Sequence, residues 1–399
     1  MAGPLNGVKI LDMTSMISGP TTTLILADQG AEVIKVENPN FGDHTRIVST
    51  RRNGFSASFL NNNRNKKSVA INLKSDKGIA ALKKLVADCD VFVQNFRPGV
   101  IERMGLGEDV IREIMPDIIY CSISGFGHEG PYAKKPVYDP LIQALSGLAT
   151  VQGGSDDVRP RLVRTILPDK LTGYVASQAI TAALYSRTNT GEGQHIRLSM
   201  LDAIVSFLWG SDMGGHTFVG NELKQETAQS FIDLIYETKE GYISVAVQSD
   251  KEWKNLCSAL DKPEWLEDPR FLDTALRQKN INDRLMLTQE ALLEKTVSEW
   301  LEILAEHDVP SAPVLNRTNM IRHPQIEANG IVAEIDHPEA GRLRQARPAP
   351  QFSKTSTAFD RPAPQLGEHT IEMLRLAGVE QSEIDVLLDE GVLKAGEGA

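Results

Sequence analysis

A chain of 399 residues, 41% hydrophobic and 24% charged, has ordinary globular composition and is long enough for two domains. Its formal net charge of -11 argues against a general nucleic-acid binder, and three widely spaced cysteines without a CxxC give no disulfide or metal framework. The histidines lack ligand-like spacing, no apolar run reaches spanning length, and MAGPLNGVKILDM lacks a signal-peptide apolar core. A cytoplasmic chain with no metal, no membrane partner and no nucleic-acid partner is therefore expected.

Residues 7–12 (GVKILD) read as a strand, and Gly19-Pro20 opens a helix. Strands follow at 32–37 (EVIKVE) and 68–73 (SVAINL). Residues 76–89 have Ile79, Leu82, Leu85 and Val86 at helical spacing. Further strands are predicted at 90–96 and 117–124, then a helix at 139–148. Strands alternating with helices predict a parallel, doubly wound sheet. Residues 125–130 match GxGxxG, but Pro131 and a polar run spoil the helix a dinucleotide site needs, so this is a glycine-rich turn. Residues 161–187 read as a short extended run, then Pro168-Asp169, then a long helix. A strand at 194–198 and a helix at 201–213 complete this part.

The chain changes character near Gly214, where a polar, glycine-containing linker begins. Residues 234–247 read as a hairpin, and Ser249 to Glu252 and Thr296 to Glu299 as capping boxes ahead of helices. The expected domains are 1–213 (large), 214–224 (linker), 225–325 (small, α+β), 326–364 (a return connection) and 365–399. The last would complete the large domain with two helices separated by Gly378.

Two features point to chemistry. Between Arg46 and Lys74 stand Arg46, Arg51, Arg52, Arg64, Lys66, Lys67 and Lys74, with no Asp or Glu. A one-signed run near strand ends suits a polyphosphate, although a solvated face is the plainer reading. Arg97 and Arg103 lie just beyond the next strand. Asp169 sits at a predicted helix start, where a carboxylate accepts from free N–H groups. From spacing alone it reads first as an N-cap.

The motifs GVKILDMTSMISGP, AEVIKVENPNFGDHTR, NRNKKSVAINLKS, VQNFRPGVIERMGLG, SISGFGHEGPY, TGEGQHIRLSMLDA, DVPSAPVLN and LGEHTIEMLRLAGV stand here in order. Together they resemble the CaiB/BaiF family, the class III CoA-transferases, over nearly the whole length. The resemblance implies a Rossmann-like large domain built from both chain ends, a small inserted domain and an interlocked homodimer. It implies acyl-CoA and a small carboxylic acid as substrates, with no permanently bound cofactor. Asn95, Phe96, Arg103 and Met104 match positions that hold CoA, with Arg103 at the diphosphate and Phe96 and Met104 on the adenosine. Lys74 matches a further CoA contact, Tyr138 a tyrosine near the active carboxylate, and Asp169 the catalytic aspartate.

Transfer of CoA between two acids needs a carboxylate nucleophile, which Asp169 offers, through an aspartyl anhydride and an aspartyl-CoA thioester. Oxalate-handling members carry His and Gln where this chain has Ser15 and Ile17. They also carry a glycine run where it has VQSDKEW at 247–253. Both departures count against oxalate and formyl-CoA. The alternative is an α-methylacyl-CoA racemase, whose histidine is replaced here by Tyr138, leaving His128 as the nearby substitute. A CoA-binding protein without catalysis is a third reading, against which the intact Asp169 stands.

Overall fold

The structure is a computed structural model and describes residues 3–48, 50–220, 232–357 and 361–396. The last part of the polar linker and the expected start of the small domain, residues 221–231, lie outside the described residues. The chain divides into two compact units, Met1–Leu223 with Gly330–Ala399, and Lys224–Asn329.

The first unit is built on one sheet. Its strands are β1 (Lys9–Met13), β2 (Glu32–Glu37), β3 (Lys66–Ile71), β4 (Val91–Gln94), β5 (Ile119–Ser124), β6 (His195–Ser199) and β7 (Leu393–Lys394), in the order β7-β3-β2-β1-β4-β5-β6. All neighbours run parallel except β7, which pairs antiparallel with β3. The sequence reading missed β7 because it is two residues long and follows a helix.

Alternate strand residues face opposite layers, so a sheet covered on both sides needs apolar residues at nearly every position. Leu11, Ile34, Val69 and Phe92 pack on one face against helix α2 (Asp76–Val86) and the C-terminal helices Thr370–Leu376 and Gln381–Asp389. Ile10, Val33, Val91 and Ile119 pack on the other, with Leu26 of helix α1 (Ser18–Asp28) and Ala176 and Ile180 of helix α4 (Leu167–Thr190). Helix α3 (Asp139–Leu145) precedes α4, and helix α5 (Met200–Leu208) follows β6. The glycine-rich turn after β5 leads into no helix before α3. The stretch 326–364 carries an antiparallel hairpin, Val332–His337 with Gly341–Ala346.

In the second unit Ile235–Glu237, Tyr242–Val245 and Ser311–Pro313 form an antiparallel sheet. Both capping boxes form, at Ser249 with Glu252 and at Thr296 with Glu299. The core holds Trp253, Trp265 and Trp300 with Phe271, Leu285 and Leu292.

Candidate active site

The strand order reverses between β1 and β4, and parallel sheets bind ligands beyond the carboxyl ends of the strands at such a switch point. A cleft of about 420 Å³ lies there. Met13, Thr14 and Ser15 line it after β1, Leu73 and Lys74 after β3, and Phe96 and Met104 after β4. Phe96 and Met104 also lean on the core, so their apolar faces serve both packing and the cleft wall. Lys74 is exposed.

Asn95 has another task. Its Oδ1 accepts the Ser15 N–H at 3.0 Å and its Nδ2 donates to the Ser15 carbonyl at 2.8 Å, which staples the β1 and β4 loops together. Arg103 is exposed and lies against Gly99, where an added Cβ would stand 3.1 Å from Nη1. Gly99 has φ of +83°, so a side chain there would be strained as well as crowded.

The basic run is not one surface patch: Arg51, Arg52 and Lys74 are exposed, and the other four are paired with acids. Arg46 chelates Glu37 at 2.7 Å through both Nε and Nη2, and Arg64 grips Asp28 at 3.0 and 2.6 Å. Lys66 meets Asp12 at 3.1 Å, and Lys67 meets Glu32 and Glu372 at 3.1 and 2.9 Å. Arg52 donates to the carbonyls of Ala340 and Arg342. Of the seven cations, Lys74 is the one that lines the cleft. The partners are far away in sequence, so a window of charge could not reveal them.

Beneath the cleft that pairing becomes a buried network. Asp12 accepts from Thr14 N (2.9 Å), Thr14 Oγ1 (2.5 Å), Thr23 Oγ1 (2.6 Å) and Lys66 Nζ. Lys66 also donates to the Pro20 carbonyl, and Lys35 to the Thr14 carbonyl with Asp43 at 2.9 Å. Burial pushes Lys66 down to about 8 against the pull of Asp12. Burial would raise Asp43, yet Lys35 holds it at about 2. The network fixes the loop from Thr14 to Pro20. Within that loop Met16 has φ of +70°, a strained state for a non-glycine residue.

The fixed loop ends at Ser18, the first residue of α1, whose N–H points at the Asp169 carboxylate. The N-cap expectation for Asp169 is therefore corrected. Ile166 caps α4 without a side-chain bond, and Asp169 is the third helical residue. Close packing of α1 on α4 makes this meeting possible. A Cβ on Gly173 would stand 2.8 Å from Thr21 Cβ and 3.1 Å from the Ser18 carbonyl.

Burial first, and then the nearby Asp139, push Asp169 up to about 6, while the Ser18 N–H pulls the other way. Asp139 is buried at the start of α3, and burial raises its pKa too. It accepts from Gln143 Nε2 at 2.6 Å and from the Asp169 N–H, and its Oδ2 has no partner among the described residues. Gln143 Oε1 takes the Val163 N–H at 2.9 Å, tying the run before Asp169 to the same acid. Tyr138, just before Asp139, is 70% exposed and does not line the cleft. Sequence reasoning missed Ser18, Asp139 and Gln143 as groups around Asp169. The available signal was an acid beside proline at two helix starts, Asp139-Pro140 and Pro168-Asp169.

Residues 5–370 match the sequence profile of CoA-transferase family III. The chain belongs to this family. It is 37% identical over 398 residues to succinyl-CoA:glutarate CoA-transferase of Homo sapiens, covering 98% of this chain and 90% of that protein. It is 33% identical over 428 residues to formyl-CoA:oxalate CoA-transferase of Rhodopseudomonas palustris (strain BisA53), covering 98% of each. The crystal structure of a CAIB/BAIF family protein from Brucella suis superposes with a TM-score of 0.82 at 29% identity, covering 94% of this chain and all of that one (100%). The protein is thus a CoA-transferase acting on CoA thioesters, with the mixed α/β fold of its family. Among the described residues no helix is long and apolar enough to cross a membrane.

Proposed function

We propose that this transferase moves CoA from an acyl-CoA donor to a small dicarboxylic acid through covalent intermediates on Asp169. One observation carries the reading. Thr14 and Ser15 line the cleft, and three residues later Ser18 N–H meets Asp169, so one short loop joins the CoA cleft to the nucleophile. In this reading the adenosine lies against Phe96 and Met104, and Arg103 and Lys74 meet the phosphates. Asn95 holds the cleft's two loops together, and Tyr138 screens the acyl group.

Asp169 attacks the thioester carbonyl and CoA thiolate leaves, giving the acyl-aspartyl anhydride. The thiolate then attacks the aspartyl carbonyl and releases the donor acid, leaving aspartyl-CoA. The acceptor carboxylate expels the thiolate from that thioester, and the thiolate takes the new acyl group from the second anhydride. Each step puts negative charge on the Asp169 carbonyl oxygen or on the acyl oxygen, and the Ser18 N–H at the start of α1 is placed to stabilise the former. A pKa near 6 leaves Asp169 mostly ionised at pH 7 yet more basic than an ordinary carboxylate.

The glutarate relative favours a dicarboxylate acceptor, and Ser15 and Ile17 continue to argue against oxalate. An interlocked homodimer belongs to the same proposal. Exposed Tyr174 (59%) and Tyr185 (73%) on α4, beside a groove of about 1120 Å³, supply apolar surface for a second copy. A folded monomer in sizing at high dilution would refute the dimer.

The test of function is trapping. Enzyme mixed with succinyl-CoA and then hydroxylamine should carry a hydroxamate on Asp169, and a panel of C2 to C6 diacids should show transfer by mass spectrometry. A hydroxamate on Asp139, or α-proton exchange in heavy water without transfer, would overturn the assignment, the second in favour of a racemase.

A further inference from the structure

Ser122, His195 and Glu108 stand in the order of a hydrolytic triad, at 2.8 Å from Ser122 Oγ to His195 Nε2 and 2.5 Å from Nδ1 to Glu108 Oε2. Acyl chemistry is excluded by burial, since Ser122 is 2% exposed. The hydrogen bonds instead lead elsewhere. Gln94 on β4 is the register partner of Ser122 on β5 and donates Nε2 to Ser122 Oγ at 2.9 Å. Gln94 Oε1 takes the Phe96 N–H at 2.8 Å. With its oxygen accepting from Gln94, Ser122 turns its own proton to His195 Nε2. That sets the tautomer, so Nδ1–H donates to Glu108. Glu108 opens helix Glu108–Ile114 and is held on its other oxygen by Arg112 at 2.9 Å. Tyr120 stands edge-on to the His195 ring and donates its hydroxyl to the Leu106 carbonyl at 2.9 Å.

We propose that His195 is a positioning residue that closes the base of segment 95–107, holding its start through Ser122 and Gln94 and its end through Glu108. That segment contains Asn95, Phe96, Arg103 and Met104, so the clasp sets the cleft's adenosine side from the neighbouring strands β5 and β6. The inference rests on the reading of this segment as the CoA site.

The test uses full-length Ser122→Ala, Glu108→Ala and Glu108→Gln enzymes. Glu108 is near the surface, so its variants keep the test alive if the buried serine variant folds poorly. In ligand-free enzyme, Ser122→Ala and Glu108→Ala should speed amide hydrogen exchange in peptides covering 95–107 by about 10-fold, the equivalent of one lost hydrogen bond. They should raise KM for acyl-CoA by about 10-fold with kcat within about 2-fold. Glu108→Gln still accepts from Nδ1 and should behave as wild type in both. Unchanged exchange would overturn the clasp. Faster exchange with unchanged KM would overturn it through the placement of CoA, and loss of kcat with KM unchanged would make the residues chemical rather than positional.

Discussion

Replacing Asp169 by Asn should make the ligand-free protein more stable while abolishing transfer. The carboxyl sits at about 6 against an ordinary 3.8, because burial and Asp139 disfavour its charge. A raised folded pKa gives stability that is complete below the unfolded value and lost as pH rises through the folded one. At about 1.4 kcal/mol per pH unit, the ionised group costs about 3 kcal/mol at pH 8 and about 1 kcal/mol at pH 4.5. Asn removes that cost. It keeps an oxygen for the Ser18 N–H, and no helix cap is lost, since Ile166 caps α4 without its side chain. Urea unfolding of both enzymes at the two pH values is the assay, with about 2–3 kcal/mol expected in favour of Asn at pH 8. Activity should fall by at least about 10³-fold, an amide oxygen being a poor nucleophile. Equal stability at pH 8, or an advantage that does not shrink in acid, would refute the electrostatic account. Retained activity would refute the nucleophile.

The same carboxyl predicts that kcat/KM falls in acid with an apparent pKa of about 6, and a profile flat to pH 4.5 would contradict it. Arg103→Ala should weaken CoA binding by about 1–2 kcal/mol in calorimetry, the usual worth of a charge-assisted hydrogen bond at an exposed site. Gly173→Ala should cost about 1–3 kcal/mol by overpacking against Thr21 and should lower kcat by shifting α4 from Ser18, read by melting and steady-state rates. Burial pushes Cys89, Cys121 and Cys257 to about 12, so a thiol reagent should find none of them in the folded enzyme and all three in urea.

The sheet was legible because a strand buried on both faces is apolar at successive positions, as in Val91–Val93, and each lay between recognisable helices. The two capping boxes were legible because they are wholly local. The edge strand Leu393–Lys394 was not, being two residues long and set by pairing with the distant β3, and neither was the hairpin from Val332 to Ala346, whose few apolar residues alternate with Glu334, Asp336, Arg342 and Arg344. Of the expected site residues, Lys74, Phe96 and Met104 line one cleft, Asn95 bonds Ser15, and Tyr138 stands exposed just before Asp139, the neighbour of Asp169. The charge of residues 46–74 was read from sign alone. Its partners Asp12, Asp28, Glu37 and Glu372 come from other strands and helices, and only the fold brings them near.

That pairing explains why so much charge is buried under a site that needs one carboxylate. Breaking a buried pair leaves an uncompensated ion and costs about 3–5 kcal/mol, so Lys66 and Asp12 cannot move apart without large loss. Asp12 accepts from the Thr14 N–H in the loop and from Thr23 Oγ1 on α1, and Lys66 donates to the Pro20 carbonyl. A hydrophobic pair of equal volume would fill the space but would leave that loop free to relax the positive φ of Met16. The relaxed loop would swing Ser18 N–H away from Asp169, while β1 and β4 stayed in place. Lys66→Met should then damage kcat more than acyl-CoA affinity, because Phe96 and Met104 stand on the other side of the switch point. Lys66→Met with Asp12→Leu should recover stability without recovering rate. Recovery of both would show that the charges serve packing alone, and the loop's strain would have no part in catalysis.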